Sequence, residues 1–301
     1  MDTFTAKLRD VQKIKFPIVK AAFLGKDGKY SVGAIMIDTG SASCILNKSV
    51  LPYLDSNAII EGKTLNVHSV QGKKIECQGA SLVFRIGNKT FSDIFYINKK
   101  LNFDRLLDCP FIGIIGHQFL IRNNLVLDYE TETLHTSERR IDDNIENYAF
   151  IFPMSFGLNQ YHLPVVGLVY GEKEFMMVAD SGADETVITK YMMDQSGNCV
   201  KRLGESGTVT YFTADTLKTA LYDVILSIVS IGGTVREPKL YTQNDTVQVI
   251  SKCQHIIEGL KDAKGNDLIP ISGLLSSGFM LRNKWVLDFG TGMMYQRKDV
   301  V

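Results

Sequence analysis

The chain has 301 residues, of which 45% are hydrophobic and 22% charged, with 33 Lys and Arg set against 33 Asp and Glu. A chain of this size buries a sizeable core and usually divides into two domains. The even charge balance provides no electrostatic footprint for nucleic acid or for an anionic membrane surface, so neither is expected as a partner.

The opening stretch MDTFTAKLRDVQKIKF lacks the continuous apolar run of a signal peptide, and no later stretch approaches the ~18 apolar residues of a membrane span. The expectation is a soluble, cytoplasmic chain. Next come a hairpin turn, GKDGK (25–29), and an apolar run that stops at an aspartate, IMIDTGSASCIL (35–46). SLVFRIG (81–87) and DIFYI (93–97) are strands by their Val, Ile, Phe and Tyr content, with GNK (87–89) as the turn between them. GHQFLIRN (116–123) has local helical periodicity, and the charge-dense SERRIDDNIENY (137–148) is the best linker candidate. LPVVGLVYG (163–171) and YDVILSIVSIGG (222–233) are further strands, with VADSGADETVI (178–188) and a short helix at TKYMMDQ (189–195) between them. The chain is therefore expected to be all-β with short helices.

Other chemistries lack their signatures. The cysteines (Cys44, Cys77, Cys109, Cys199, Cys253) are odd in number and include no CxxC pair, so reduced thiols are expected rather than disulfides or structural zinc. The five histidines have no HExxH or paired spacing, and isolated histidines are usually surface or satisfied core residues. No GxSxG elbow, phosphate loop or dinucleotide fingerprint is present. No metal and no cofactor is expected.

An internal repeat is the most informative feature. FLIRNNLVLDY (119–129) and FMLRNKWVLDF (279–289) agree at Phe, Arg, Asn, Val, Leu and Asp. Each follows a glycine with two aliphatics, GIIG (113–116) and GLLS (273–276), and further upstream lies an Asp-Thr-Gly or Asp-Ser-Gly turn. Asp38 and Asp180 are 142 residues apart, whereas Asp128 and Asp288 are 160 apart, so the second half carries additional residues, expected near 241–262. The expected organisation is an N-terminal lobe over 1–140, a linker over 141–150 and a C-terminal lobe over 151–301. A carboxylate ending a core strand must be paired, hydrogen-bonded or functional. One such turn alone is most simply a turn, and Asp128 and Asp288 read as turn caps. Two turns at equivalent places in homologous lobes can meet at a pseudo-twofold axis, where their carboxylates share a proton.

With both turns in view, the sequence resembles the retropepsin and pepsin superfamily of aspartic proteases. DSGADETVI (180–188) is similar to the active-site loop of the retroviral enzymes, with Ala183 and Asp184 in matching places, while DTGSAS (38–43) is closer to the pepsin-like version. The resemblance implies two retropepsin-like lobes related by a pseudo-twofold axis, a monomer acting as an intramolecular pseudo-dimer on a peptide or protein substrate. It implies that Asp38 and Asp180 hold a water between them, that Thr39 and Ser181 tie the loops together, and that Gly40 and Gly182 permit close approach. Ser41 is expected to hydrogen-bond the nearby carboxylate, which Ala183 cannot do, making Asp38 the more readily ionised. A substrate flap is implied near Val70, Gln71 and Gly72 in the first half and near Phe212 and Thr213 in the second. Two positions depart from the family pattern: Ser276 stands where glycine is expected, and no arginine follows Gly116 or Ser276. The alternative reading keeps the fold and drops the cleavage, leaving an inactive peptide-binding or dimerisation module.

Overall fold

The computed structural model describes residues 4–68, 74–99, 109–138, 148–156, 162–170, 173–195, 200–210, 216–229, 240–250, 256 and 270–298. The first half runs β1 (Thr5–Lys7), α1 (Val11–Ile14), β2 (Ile18–Leu24), β3 (Tyr30–Asp38), β4 (Cys44–Asn47), β5 (Ile59–His68), β6 (Lys74–Ile86), β7 (Lys89–Asn98), β8 (Phe111–Gly116), α2 (His117–Arg122), β9 (Leu125–Asp128) and β10 (Thr133–Thr136). The second half runs β11 (Tyr148–Pro153), β12 (Val165–Tyr170), β13 (Lys173–Asp180), β14 (Val187–Thr189), α3 (Lys190–Asp194), β15 (Val200–Thr210), β16 (Thr216–Val229), β17 (Leu240–Ile250), β18 (Ile271–Ser276), α4 (Ser277–Arg282), β19 (Val286–Asp288) and β20 (Met293–Arg297). The protein is all-β with a few short helices.

Two seven-stranded sheets share one strand order. The first is β2-β3-β8-β4-β7-β6-β5 and the second β12-β13-β18-β14-β17-β16-β15, each with an extra pairing, β2–β6 or β12–β16, that folds the sheet back on itself. β3 lies parallel to β8 and β13 parallel to β18, so these strands are covered on both faces. That accounts for their unbroken apolar runs, which parallel strands buried on both faces require. The same registers set Asp38 opposite Gly116 and Asp180 opposite Ser276, at the ends of the two parallel pairs.

A six-stranded sheet, β1-β10-β9-β19-β20-β11, joins the halves. At its centre the two repeated segments pair with each other: β9 runs antiparallel to β19, with Leu127 opposite Leu287 and Val126 and Asp128 opposite Asp288 and Val286. This pairing is symmetric about Leu127–Leu287. The closing aspartates act as turn caps, Asp128 Oδ1 accepting the Glu130 and Thr131 amides and Asp288 Oδ1 those of Gly290 and Thr291. Asp128 also meets Arg297 of β20 at 2.9 Å and His135 at 3.6 Å, an ion-pair network that crosses between the halves. The main core cluster likewise spans both, from Phe84, Phe95 and Phe119 to Phe152, Trp285 and Phe289.

Two expected boundaries are corrected. Residues 148–150, placed in the linker, belong to β11, because Tyr148–Pro153 pairs with β20 and carries Phe150 and Ile151 against apolar neighbours. Residues 241–250, placed in the insertion, form β17, which pairs with β14 and β16 as β7 does with β4 and β6. The longer connections are 230–239, where the first half has only 87–88, and 251–270, where it has 99–110. No helix among the described residues is long and apolar enough to cross a membrane. Cys44, Cys77 and Cys109 are free thiols; Cys199 and Cys253 lie outside the described residues.

Candidate active site

The two Asp-Thr/Ser-Gly turns face each other. Each follows the last residue of a core strand, β3 or β13, and the four hydrogen bonds between them are reciprocal. Thr39 N–H donates to Ser181 Oγ at 2.9 Å and Ser181 N–H donates to Thr39 Oγ1 at 2.8 Å. The hydroxyls return the exchange, Thr39 Oγ1 donating to the Ala179 carbonyl at 2.5 Å and Ser181 Oγ to the Ile37 carbonyl at 2.8 Å. Thr39 and Ser181 are fully buried, so each bond replaces one that water would otherwise make. Glycine at the third position is a steric requirement. A Cβ on Gly40 would overlap the Asp180 carboxyl, and one on Gly182 would overlap that of Asp38.

Asp38 and Asp180 are hydrogen-bonded to each other through their carboxyls. Burial pushes both above the ordinary carboxylate range, and for Asp38 the neighbouring negative charge of Asp180 pushes in the same direction. The two are not equivalent. Asp180 receives the Gly182 amide at 2.8 Å and faces the amides of Gly40 and Ala183, while Asp38 faces those of Gly40 and Ser41. Asp38 is only 2% exposed, while Asp180 retains some exposure. Two raised carboxyls in contact share one proton between them. Ser41 does not make the hydrogen bond expected of it, because its hydroxyl donates to the Ser43 carbonyl at 2.8 Å within its own turn.

The supporting residues divide. The Ala183 carbonyl accepts the Ser277 amide at 2.8 Å, as the Ser41 carbonyl accepts that of His117 at 2.9 Å, so each loop is tied to the start of the helix after its aliphatic pair. Asp184 is exposed, away from the dyad's buried partners. Val70, Gln71, Gly72, Phe212 and Thr213 lie outside the described residues, although the strands leading to them end in the same register, His68 and Lys74 against Thr210 and Thr216. Ser276 fits where glycine was expected because its hydroxyl caps α4, accepting the Phe279 amide at 3.0 Å. Arg122 is engaged elsewhere, in an ion pair with Asp93 of β7. Among the described residues, no group of three His, Cys, Asp or Glu converges as a metal site.

His117 was expected to be a satisfied or surface histidine, yet it is fully buried and neither ring nitrogen makes a hydrogen bond. Its ring stacks on Phe156 at 6.3 Å. Burial lowers its pKa to about 4. An unfolded histidine protonates near 6.5, so the unfolded chain binds a proton that the native state refuses, and stability falls as pH drops from about 6.5 towards 4. Replacing His117→Phe should remove this acid penalty. The stability gained, read from denaturant unfolding, should be larger near pH 4 than at neutral pH by about 3 kcal/mol; equal gains would contradict the assignment.

No family model matches this sequence, and no curated protein does. The geometry of the two loops has to carry the functional reading alone.

Proposed function

We infer that this chain is an aspartic endopeptidase, a single-chain relative of the retropepsins whose two lobes arose by duplication and meet at a pseudo-twofold axis. The reading rests chiefly on one observation: two buried carboxyls from equivalent strand ends bond to each other while their loops exchange hydrogen bonds through Thr39 and Ser181. A shared proton held this way supplies a base and an acid at one point, the pairing that amide hydrolysis needs. The monomer acts as an intramolecular pseudo-dimer. Its free thiols at Cys44 and Cys77 fit a reducing compartment, the cytoplasm.

The chemistry follows from the shared proton. The ionised member of the pair takes a proton from a water lodged between the carboxyls, and the water oxygen bonds to the scissile carbonyl carbon. The protonated member donates its hydrogen bond to the carbonyl oxygen as negative charge develops there. The proton taken from water then passes to the amide nitrogen, the C–N bond breaks, and the products are a carboxylic acid and an amine. The substrate is an extended peptide covered by the β5–β6 and β15–β16 hairpins, which add main-chain hydrogen bonds to it.

Digestion of a peptide library in water enriched in oxygen-18, across acidic to neutral pH, tests this. Internal cleavages with label in the new carboxyl terminus are expected. Peptides retained on the protein without cleavage at any pH would overturn the enzymatic reading in favour of a binding module.

A further inference from the structure

The two active-site loops are held by hydroxyls in different places. In the first half, Ser41 Oγ donates to the Ser43 carbonyl at 2.8 Å and closes the Asp38 loop on itself. The strand that pairs with Asp38 ends at Gly116, where a Cβ would lie 2.6 Å from the Ser41 carbonyl oxygen and 2.7 Å from that of Ser43. No side chain fits there. The second half inverts both choices: Ala183 stands at the place of Ser41, and Ser276 at that of Gly116. The hydroxyl has moved from the loop to the strand beside it.

Ser276 is fully buried and meets both ends of the Asp180 loop. Its backbone is in register with Asp180, where the loop begins. Its hydroxyl lies 3.3 Å from the hydroxyl of Thr186, where the loop ends, and its amide donates to the same Thr186 oxygen at 3.4 Å. Thr186 is 1% exposed, and its carbonyl accepts the Gln248 amide of β17 at 2.8 Å, so the oxygen that Ser276 meets is itself fixed. Between these ends, the next residue, Ser277, holds the Ala183 carbonyl through its amide at 2.8 Å. The first-half counterpart of Thr186 is Cys44, whose thiol meets Asp93 of β7 at 3.6 Å. With both hydroxyls out of reach of water, a bond lost between them is not replaced by solvent.

We propose that Ser276 and Thr186 are positioning residues for Asp180: their buried hydroxyl pair holds the Asp180 loop from the neighbouring strand, as the Ser41 hydroxyl holds the Asp38 loop from within. This rests on the proteolytic reading for its effect on cleavage, but not for its effect on the loop. Thr186→Val removes one hydroxyl at nearly constant volume and leaves the bond from the Phe279 amide to Ser276 Oγ in place. Ser276→Gly removes the other and gives the strand the residue found in the first half.

The full chain is compared as wild type, Thr186→Val, Thr186→Ser, Ser276→Gly and the double variant Ala183→Ser/Ser276→Gly, by peptide cleavage and by amide hydrogen exchange at Gly182 and Ala183. Thr186→Val and Ser276→Gly should each lower kcat by roughly fivefold to tenfold, the scale of one lost hydrogen bond, with KM little changed and exchange at both amides faster. Thr186→Ser keeps the hydroxyl and should recover most of the loss. Ala183→Ser added to Ser276→Gly rebuilds the arrangement of the first half and should do the same. Wild-type kcat and exchange in Thr186→Val would overturn the proposal, even if Ser276→Gly were impaired, because only the helix cap would then matter. A double variant no better than Ser276→Gly would overturn it as well. A wild type that cleaves nothing would overturn the proteolytic reading, and the exchange rates would still decide whether the pair holds the loop.

Discussion

Gly182→Ala and Gly40→Ala should each abolish most peptide cleavage while leaving a folded protein. The added methyl on residue 182 would occupy the space of the Asp38 carboxyl, and that on residue 40 the space of the Asp180 carboxyl. Neither carboxyl can retreat, since both sit at the ends of parallel core strands, in register with Gly116 and Ser276. The loops must instead separate, stretching the exchange between Thr39 and Ser181. Displacement of reacting groups by about 1 Å costs on the order of 10²-fold in rate, so a loss in kcat/KM of at least that size is expected for either variant. A symmetric loss is the informative result. If Gly40→Ala kept most of the activity while Gly182→Ala lost it, the carboxyls would not be acting across the interface between the turns.

The largest effect on stability is expected at Asp128. Burial alone would raise this carboxyl, but His135, the Thr131 amide and Arg297 outweigh it and hold it well below the ordinary carboxylate range. Asp128→Ala would leave two turn amides and His135 without their acceptor and Arg297 with Glu130 alone, at a cost of roughly 2–3 kcal/mol. Asp288 is its counterpart in the repeat, but among the described residues its carboxyl caps a turn without a cation. Asp288→Ala should therefore cost only about 1–2 kcal/mol, the usual scale for a lost cap. Denaturant midpoints would separate the two, and equal losses would mean that the link to Arg297 contributes nothing. The pH dependence has a definite sign. Because the Asp128 pKa is depressed, its contribution is complete above the ordinary carboxylate value and is lost as pH falls below about 4. The gap between wild type and Asp128→Ala should therefore close in acid.

Much of this arrangement was legible in the sequence. The repeat at 119–129 and 279–289 marked the two strands that pair about Leu127 and Leu287, and the offset of 142 residues carried correctly from Asp38 and Asp180 to the bases of both hairpins. The exchange through Thr39 and Ser181 was expected from the resemblance to the aspartic proteases, not from either turn alone. What escaped was set by contacts between distant segments. The hydrogen bond expected from Ser41 to the carboxylate is not made, because a local carbonyl at Ser43 takes its hydroxyl within the same turn. β17 looked like inserted sequence because its polar residues alternate poorly, while its place is determined by pairing with β14 and β16. His117 carried a signal that was available, since it stands where the second half has Ser277. Reading the repeat for its mismatches as well as its matches would have singled it out.

The central claim is that Asp38 and Asp180 of one chain act as a single unit. It is tested most directly by measuring peptide cleavage by Asp38→Asn, by Asp180→Asn, and by an equimolar mixture of the two. Each variant should lose roughly 10³-fold or more in kcat/KM, as expected when an acid–base partner is removed, and the mixture should regain nothing. Cleavage surviving either substitution, or restored on mixing, would contradict it.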